Sequence, residues 1–283
     1  MEAEIRHISP EEYHSSKALS NSGIAKLLDC PARFKAWLDG DMDEQTEAML
    51  IGSAFHCMAL EPEKFSSRYH VMEKSGATKV GKDEKSSAEA AGQIILARRQ
   101  YEEIVPLMNG LRRHKMIGRL LADPSSNKEV SIFWEEALDG EIIPCKARLD
   151  LVALVRPLGH LIVDLKSMSD AAPVRLPKII NDRGYHRQAW WYMRALFRAG
   201  LEPRAFLLAA VEKKPPYLAA LIGVEEPAIE KGGRECLEAM RLYADCSRTG
   251  IWPGYPEEII KIDLPEWIYR KEQSNETDGQ FAH

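Results

Sequence analysis

Residues 160–167 read HLIVDLKS. Leu161, Ile162, Val163 and Leu165 suit a strand buried on both faces, while Asp164 and Lys166 are charged and, two positions apart, share one face. The stretch before it repeats the mixture. Residues 141–155, EIIPCKARLDLVALV, carry Lys146, Arg148 and Asp150 and end in a run that does not alternate. With RPLG (156–159) as the turn, Asp150 and Asp164 fall side by side on neighbouring strands, within one residue. Two carboxylates and an ammonium then converge on one sheet face. A lone D-x-K in a strand is ordinarily a solvated ion pair worth ~0–1 kcal/mol. Here the covered flanks add a desolvation cost that structures tolerate for a metal or for chemistry.

Outward from this pair, EVSIFWEE (129–136) and the Asp139-Gly140 turn complete a hairpin with residues 141–155. Glu129, at its start near the acids, could be an outer carboxylate but reads first as a solvated strand end. GYHRQAWWYMRALFRAG (184–200) returns to helical spacing, residues 205–211 and 217–223 are two further strands, and a last helix covers about 227–247. The N-terminal third reads as helical. Pro31 splits LSNSGIAKLLDCPARFKAW into two short helices, with Asn21 or Ser22 as the first cap, and TEAMLIGSAFHCMALEP is a buried helix. Residues 73–87, with Lys79, Lys82 and Lys85, show no hydrophobic period and read as a mobile loop before a helix from about Ser87 to Asn109, with Pro106 near its end.

The order predicts an α/β fold, one central mixed sheet flanked by helices. A single domain is expected over 1–265, with a helical part to about 125, a sheet core over about 126–250, and a polar, disordered tail over 266–283.

The chain has 283 residues, 45% hydrophobic and 29% charged, with a formal net charge of −5. This is a soluble globular composition with no apolar run long enough to span a membrane, and the polar, acidic start is no signal peptide. Five cysteines, odd in number and without a C-x-x-C pair, point to a reducing cytoplasm. The acidic balance gives no global attraction to nucleic acid, although a local basic groove suffices for that. Between Lys166 and Arg187 the cations Lys166, Arg175, Lys178, Arg183 and Arg187 outnumber Asp170 and Asp182. Paired carboxylates with a lysine suit a Mg²⁺ site for phosphodiester hydrolysis.

Asp150 with Asp164-Leu165-Lys166 resembles the PD-(D/E)xK nuclease superfamily, whose core is the restriction-endonuclease-like fold. Gln188 and Tyr192 resemble the Q-x-x-x-Y helix of its RecB-like branch, His56 its upstream histidine, and Ser20, Ser22 and Cys30-Pro31 its N-terminal signature. LSNSGIAKLL…CPARFK, IGSAFHCMALEP, KARLDLV, VDLKS and GYHRQAWWY together are similar to the RecE-type exonucleases (exonuclease VIII) of phages and prophages. The resemblance implies a Mg²⁺-dependent exodeoxyribonuclease, with Mn²⁺ as a substitute. It would digest linear double-stranded DNA from the 5′ end and leave 3′ strands for a RecT-type annealing partner. It implies metal ligation by His56, Asp150, Asp164 and the Leu165 carbonyl, assistance by Lys166, and positioning by Gln188 and Tyr192. Arg148, Lys178, Arg183, Arg187, Ser20 and Ser22 are candidate DNA contacts. It also implies a homo-oligomer, such as a ring-shaped tetramer, in the cytoplasm of a bacterial host. Some relatives hold an iron–sulfur cluster on four cysteines; only Cys236 and Cys246 lie late in this chain, so none is expected. A RecB-like structure-specific endonuclease or flap nuclease would use the same residues, and a DNA-binding scaffold with a degenerate core would be expected to lose one of them.

Overall fold

In the computed structural model, which describes residues 3–41, 46–74, 76–266 and 269, the elements run in this order. They are β1 (Glu4–Arg6), α1 (Pro10–Ser15), α2 (Asn21–Asp29), α3 (Pro31–Asp39), α4 (Glu47–Leu60), α5 (Pro62–Arg68), β2 (Tyr69–Val71), α6 (Lys79–Ala90), β3 (Ile94–Leu96), α7 (Arg98–Arg113), α8 (Lys115–Ala122), β4 (Asn127–Leu138), β5 (Glu141–Val155), β6 (Gly159–Met168), α9 (Leu176–Asp182), α10 (Tyr185–Arg198), β7 (Pro203–Glu212), β8 (Ala219–Gly223) and α11 (Glu226–Thr249).

The hairpin at Asp139-Gly140 sets the register of the sheet. Both residues have positive φ, 51° and 89°, as a type I′ turn between twisted strands requires. The six strands lie in the order β1-β4-β5-β6-β7-β8. β6 and β7 are parallel and the other pairs antiparallel, so the sheet is mixed, as expected. The parallel pair needs a crossover, which α9 and α10 supply.

Both faces of the central strands are covered, which explains their lack of alternation. Val152, Ile162, Phe206 and Leu208 pack with α2, α3, α10 and α11 on one side. Leu151, Val163, Leu165, Ala209 and Val211 pack with α4, α7 and α8 on the other. Contact between α10 and α11 depends on two glycines. A Cβ on Gly232 would stand 2.2 Å from the His186 carbonyl oxygen, and one on Gly233 would stand 2.5 Å from the Trp190 indole nitrogen. Only bare backbone allows α10 to lie this close.

Glu136 anchors the same helix to β4. Its carboxylate accepts from Arg194 (2.7 and 2.9 Å), Arg198 (3.0 and 2.6 Å) and the Trp134 indole (2.9 Å). Burial pushes this carboxyl up, but the two arginines outweigh it and hold it at about 2. A depressed folded pKa stabilises the protein above the ordinary carboxylate range and ceases to do so as pH falls through that value. Glu136→Ala is therefore expected to lower stability by about 2–3 kcal/mol at neutral pH in urea unfolding, since it strands two partly exposed guanidinium groups. The difference from the parent should shrink towards pH 2, and an unchanged midpoint at neutral pH would remove Glu136 as an anchor.

Four expectations are corrected. The α2 cap is Ser20, whose hydroxyl accepts from the Gly23 N–H at 3.2 Å, rather than Asn21 or Ser22. Residues 79–90 of the expected loop and its helix boundary form α6, capped by Thr78. Glu84 ties this helix back by accepting from the Glu73 and Lys74 N–H groups (2.8 and 3.1 Å) and pairing with His70. Polar capping of this kind leaves no hydrophobic period to read. The helix expected over 87–109 is broken by β3 and resumes as α7, which carries Pro106 within it. The N-terminal part is also not wholly helical, since β1 joins the main sheet and β2 pairs with β3.

The chain divides into Met1–Trp252 and Pro253–His283. In the second unit Asp263 accepts from the Leu264 N–H (2.7 Å) and the Tyr269 hydroxyl (2.5 Å). The expected tail lies outside the described residues, apart from Glu266 and Tyr269.

Candidate active site

The β5/β6 ladder pairs Leu151 with Val163 and Val152 with Ile162, so its continuation sets Asp150 opposite Asp164. There the backbone pairing ends. The Leu165 N–H, next in line on β6, is taken by Asp150 Oδ2 at 2.7 Å. In a strand the N–H and C=O of one residue leave on the same edge, so the Leu165 carbonyl also faces the Asp150 side. Asp150 and Asp164 are both buried, 8% and 1% exposed, which makes their compensation by neighbours obligatory.

Asp164 has two such neighbours. Gln188 donates from Nε2 to Oδ1 at 2.7 Å, and the Lys166 ammonium forms an ion pair with Oδ2. Among the described residues this ammonium is the one group set against Oδ2, so the buried oxygen, with two lone pairs, keeps an unfilled acceptor position. Burial foremost pushes the Asp164 carboxyl up, Lys166 opposes this, and the charge on Asp150 adds to it. For Asp150, burial is outweighed by His56, Lys166 and the Leu165 N–H, and its carboxyl lies below the usual range. Burial pulls the Lys166 ammonium down, but the two aspartates outweigh it and keep it protonated. Its Nζ also lies 5.2 Å from the centre of the Tyr185 ring.

α4 brings His56 Nδ1 to 3.4 Å from Asp150 Oδ2. The imidazole is lowered by burial and raised by Asp150, with a net rise. Tyr192 lies one helical turn beyond Gln188 on α10. Burial pushes its phenol well above the ordinary range and both aspartates add to this, so it stays neutral.

For Glu129, the second of its two sequence readings, an outer carboxylate beside the acids, is the one its position fits. Lys128 pairs with Leu151 and Val130 with Leu149, which sets Glu129 opposite Asp150. Its φ of 52° is a left-handed conformation uncommon outside glycine. Its carboxylate, the His56 imidazole and the Asp150 carboxylate offer ligand atoms all within 4.8 Å of one another. The register was available in the sequence: a two-residue turn at 139–140 sets 129 against 150.

The remaining predicted residues are distributed differently. Arg148 is engaged by Glu129 (2.5 Å), the Ile8 carbonyl (3.0 Å) and Ser131 (3.1 Å). Together with Lys146, which donates to the Tyr13 and Ser16 carbonyls (2.8 and 2.6 Å), it braces the N-terminal segment. Arg187 pairs with Glu235 at 2.7 Å beside His186 and Lys231. Lys178 is exposed and pairs with Asp182 at 2.5 Å, and Arg183 is exposed. Ser20 is buried as the cap of α2, 3.0 Å from the Ser22 hydroxyl.

An imidazole, two neighbouring carboxylates and the unfilled Asp164 oxygen make a nitrogen- and oxygen-rich donor set that fits a hard divalent cation. Crowding of Asp150 and Asp164 is relieved by such a charge. Glu129→Gln is expected to weaken Mn²⁺ binding roughly tenfold in calorimetric titration without DNA, and an unchanged affinity would remove Glu129 from the donor set.

With this geometry in place, comparison with known proteins adds a family. Residues 20–264 match a family described as a PDDEXK-like domain of unknown function, DUF3799. No curated protein sequence matches the chain. Among solved structures, a protein from Eubacterium rectale described as a candidate exonuclease is similar with a TM-score of 0.64 at 15% identity, over 92% of this chain and 97% of that one. At this identity the likeness is one of fold. Another, SSO0001, reaches a TM-score of only 0.32 at 14% identity, over 67% of this chain and 86% of that one, and carries no argument.

Proposed function

The chain belongs to the PDDEXK-like DUF3799 family, and from that premise we propose that it is a Mg²⁺-dependent exodeoxyribonuclease acting on the ends of linear double-stranded DNA. The observation that carries this reading is the meeting of Asp150, Asp164 and the Lys166 ammonium at the point where the β5/β6 ladder ends, with one Asp164 oxygen unfilled. His56, Glu129, Asp150 and Asp164, with the Leu165 carbonyl, are the groups that would hold the metal. A cation there supplies Lewis-acid polarisation of a phosphodiester.

The protein's own groups do the rest. Gln188 fixes one Asp164 oxygen and so orients the other. Lys166, kept charged by the two aspartates, stands ready to stabilise the negative charge on the phosphoryl oxygens during attack. Tyr192 stays neutral and adds no charge beside the acids. Digestion from the 5′ end, a RecT-type annealing partner and assembly into a ring-shaped tetramer are the biological setting that the sequence resemblance suggests. No helix among the described residues is long and apolar enough to cross a membrane.

The test is a time course on end-labelled linear duplex with blunt, 5′-overhang and 3′-overhang ends, beside the same DNA as a covalently closed circle. Nucleotide release from linear DNA alone, lost with chelator, supports the proposal. Cutting of the circle would replace it with an endonuclease, and no metal-dependent release from either would end the nuclease reading.

A further inference from the structure

Exposed cations on this protein commonly have a carboxylate beside them. Arg33 pairs with Asp29, Arg99 with Glu103, Lys178 with Asp182, Arg241 with Asp139 and Arg248 with Asp245. Others, such as Arg156, Arg204 and Arg234, are exposed without one among the described residues, and one region gathers several in sequence free of acids. Residues 104–122, which include the end of α7 and all of α8, contain Arg112, Arg113, Lys115 and Arg119 and no acid. Residues 213–224, KKPPYLAALIGV, contain Lys213 and Lys214 and again no acid. All six cations are exposed, and none has a carboxylate partner among the described residues.

The fold joins the two segments. Arg113 donates to the Pro216 carbonyl at 3.2 Å, and Gly110 lies so close to the turn that a Cβ there would meet the Tyr217 carbonyl oxygen at 2.6 Å. At the elbow between the helices, a Cβ on Gly118 would stand 2.6 Å from the Arg112 carbonyl oxygen, so the start of α8 lies against the end of α7. The six cations thus lie on a platform of two acid-free segments that the fold brings together.

Its place on the sheet gives the platform a use. The Lys213 N–H bonds the Met168 carbonyl at 2.9 Å, at the carboxyl end of β6. Met168 is two residues beyond Lys166, about 7 Å along a strand. The platform therefore begins at the same end of the sheet as the acids, on the face that α7 covers, whereas Asp164 and Lys166 project from the other face towards α10.

We infer that this elbow, with the 213–217 turn, seats the sugar-phosphate backbone of the duplex arm of the DNA whose end enters the site, an inference that rests on the nuclease reading above. Exposed, unpaired Lys and Arg side chains on a rigid support are what sequence-independent phosphate contact requires. Single strands are ordinarily held by stacking on exposed aromatic rings; residues 111–121 contain no Phe, Tyr or Trp, and Tyr217 in the turn is partly buried against the core. The patch therefore fits duplex rather than the displaced strand.

The experiment compares the parent with a variant carrying Arg112→Ala, Lys115→Ala, Arg119→Ala and Lys214→Ala. A control variant with the same loss of charge carries Arg33→Ala, Arg99→Ala, Arg241→Ala and Arg248→Ala. Fluorescence anisotropy of a labelled blunt duplex, with Ca²⁺ in place of Mg²⁺, is followed from about 50 to 200 mM salt. The elbow variant is expected to bind at least roughly tenfold more weakly at low salt, with the slope of log K against log salt reduced by about 3. The control should stay near the parent, and cleavage at saturating duplex should stay near the parent for both. Equal weakening of both variants, or parent-like affinity and slope in the elbow variant, overturns the inference while the nuclease reading stands, provided the parent cleaves. Affinity lost for a single strand as strongly as for duplex also overturns it. A parent that neither binds nor cleaves duplex defeats the nuclease reading itself.

Discussion

Asp164→Asn is expected to remove cleavage, by roughly 10³-fold or more, while the chain folds as before. The substitution is nearly isosteric. Asparagine retains an oxygen to accept from Gln188, so the contact that fixes this side chain to α10 can survive. What disappears is the negative charge and the second carboxylate oxygen, the one that is buried, beside Lys166 and unfilled as an acceptor. If that oxygen is a metal ligand, an amide nitrogen there presents hydrogens to the cation, and the donor set is spoiled from within. The loss should appear as release of nucleotides from end-labelled linear duplex in Mg²⁺, with far-UV circular dichroism and the melting transition close to the parent. Full activity in the folded variant would refute the metal-site assignment and with it the role given to the paired aspartates.

Much of this arrangement is legible in the sequence because it depends on local rules. Period-two patterns, the Asp139-Gly140 turn and the RPLG turn fix three strands and two registers, and registers decide which side chains meet across a sheet. Asp150 and Asp164 can thus be paired from the turn positions alone, and the apolar, non-alternating flanks LVALV and LIV announce two covered faces. Gln188 reaches the site by a motif, and the fold supplies its reason, a hydrogen bond to Asp164.

The parts that escape depend on long-range or conformational facts. Glu129 sits opposite Asp150 by the same arithmetic, yet its entry into the group also needs a left-handed backbone that no side chain advertises. The loop reading at 73–87 fails because α6 is held by a Thr78 cap and the Glu84 carboxylate rather than by an apolar stripe. For Arg148 and Arg187, candidate phosphate contacts, sequence shows the charge and not the partner. Their partners, Glu129 and Glu235, lie 19 and 48 residues away. The elbow at Arg112–Arg119 goes unmarked for the converse reason: its significance is the lack of nearby acids in two segments that only the fold brings together.

Lys166→Met is expected to slow the chemical step on bound DNA by roughly 10²–10³-fold, with DNA affinity nearly unchanged. Methionine keeps most of the stem and removes the ammonium, including its contact with the Tyr185 ring, so the change bears chiefly on the charge. Two effects compete when the ammonium is removed. The aspartates lose a compensating charge, which tends to push Asp164 further up and weaken the apo protein slightly. A bound divalent cation supplies that compensation, so the folded, metal-loaded enzyme should tolerate the loss. What the cation does not replace is a donor aimed at the phosphate from the Lys166 position, and the deficit therefore falls on the transition state, where charge on the phosphoryl oxygens is greatest. Single-turnover rates at saturating enzyme separate the two: a slow rate with parent-like affinity assigns Lys166 to the chemistry. If instead binding collapses and the DNA that remains bound is cut at the parental rate, Lys166 is a binding group, and the ammonium held by Asp164 and Asp150 serves to seat the phosphate rather than to stabilise its reaction.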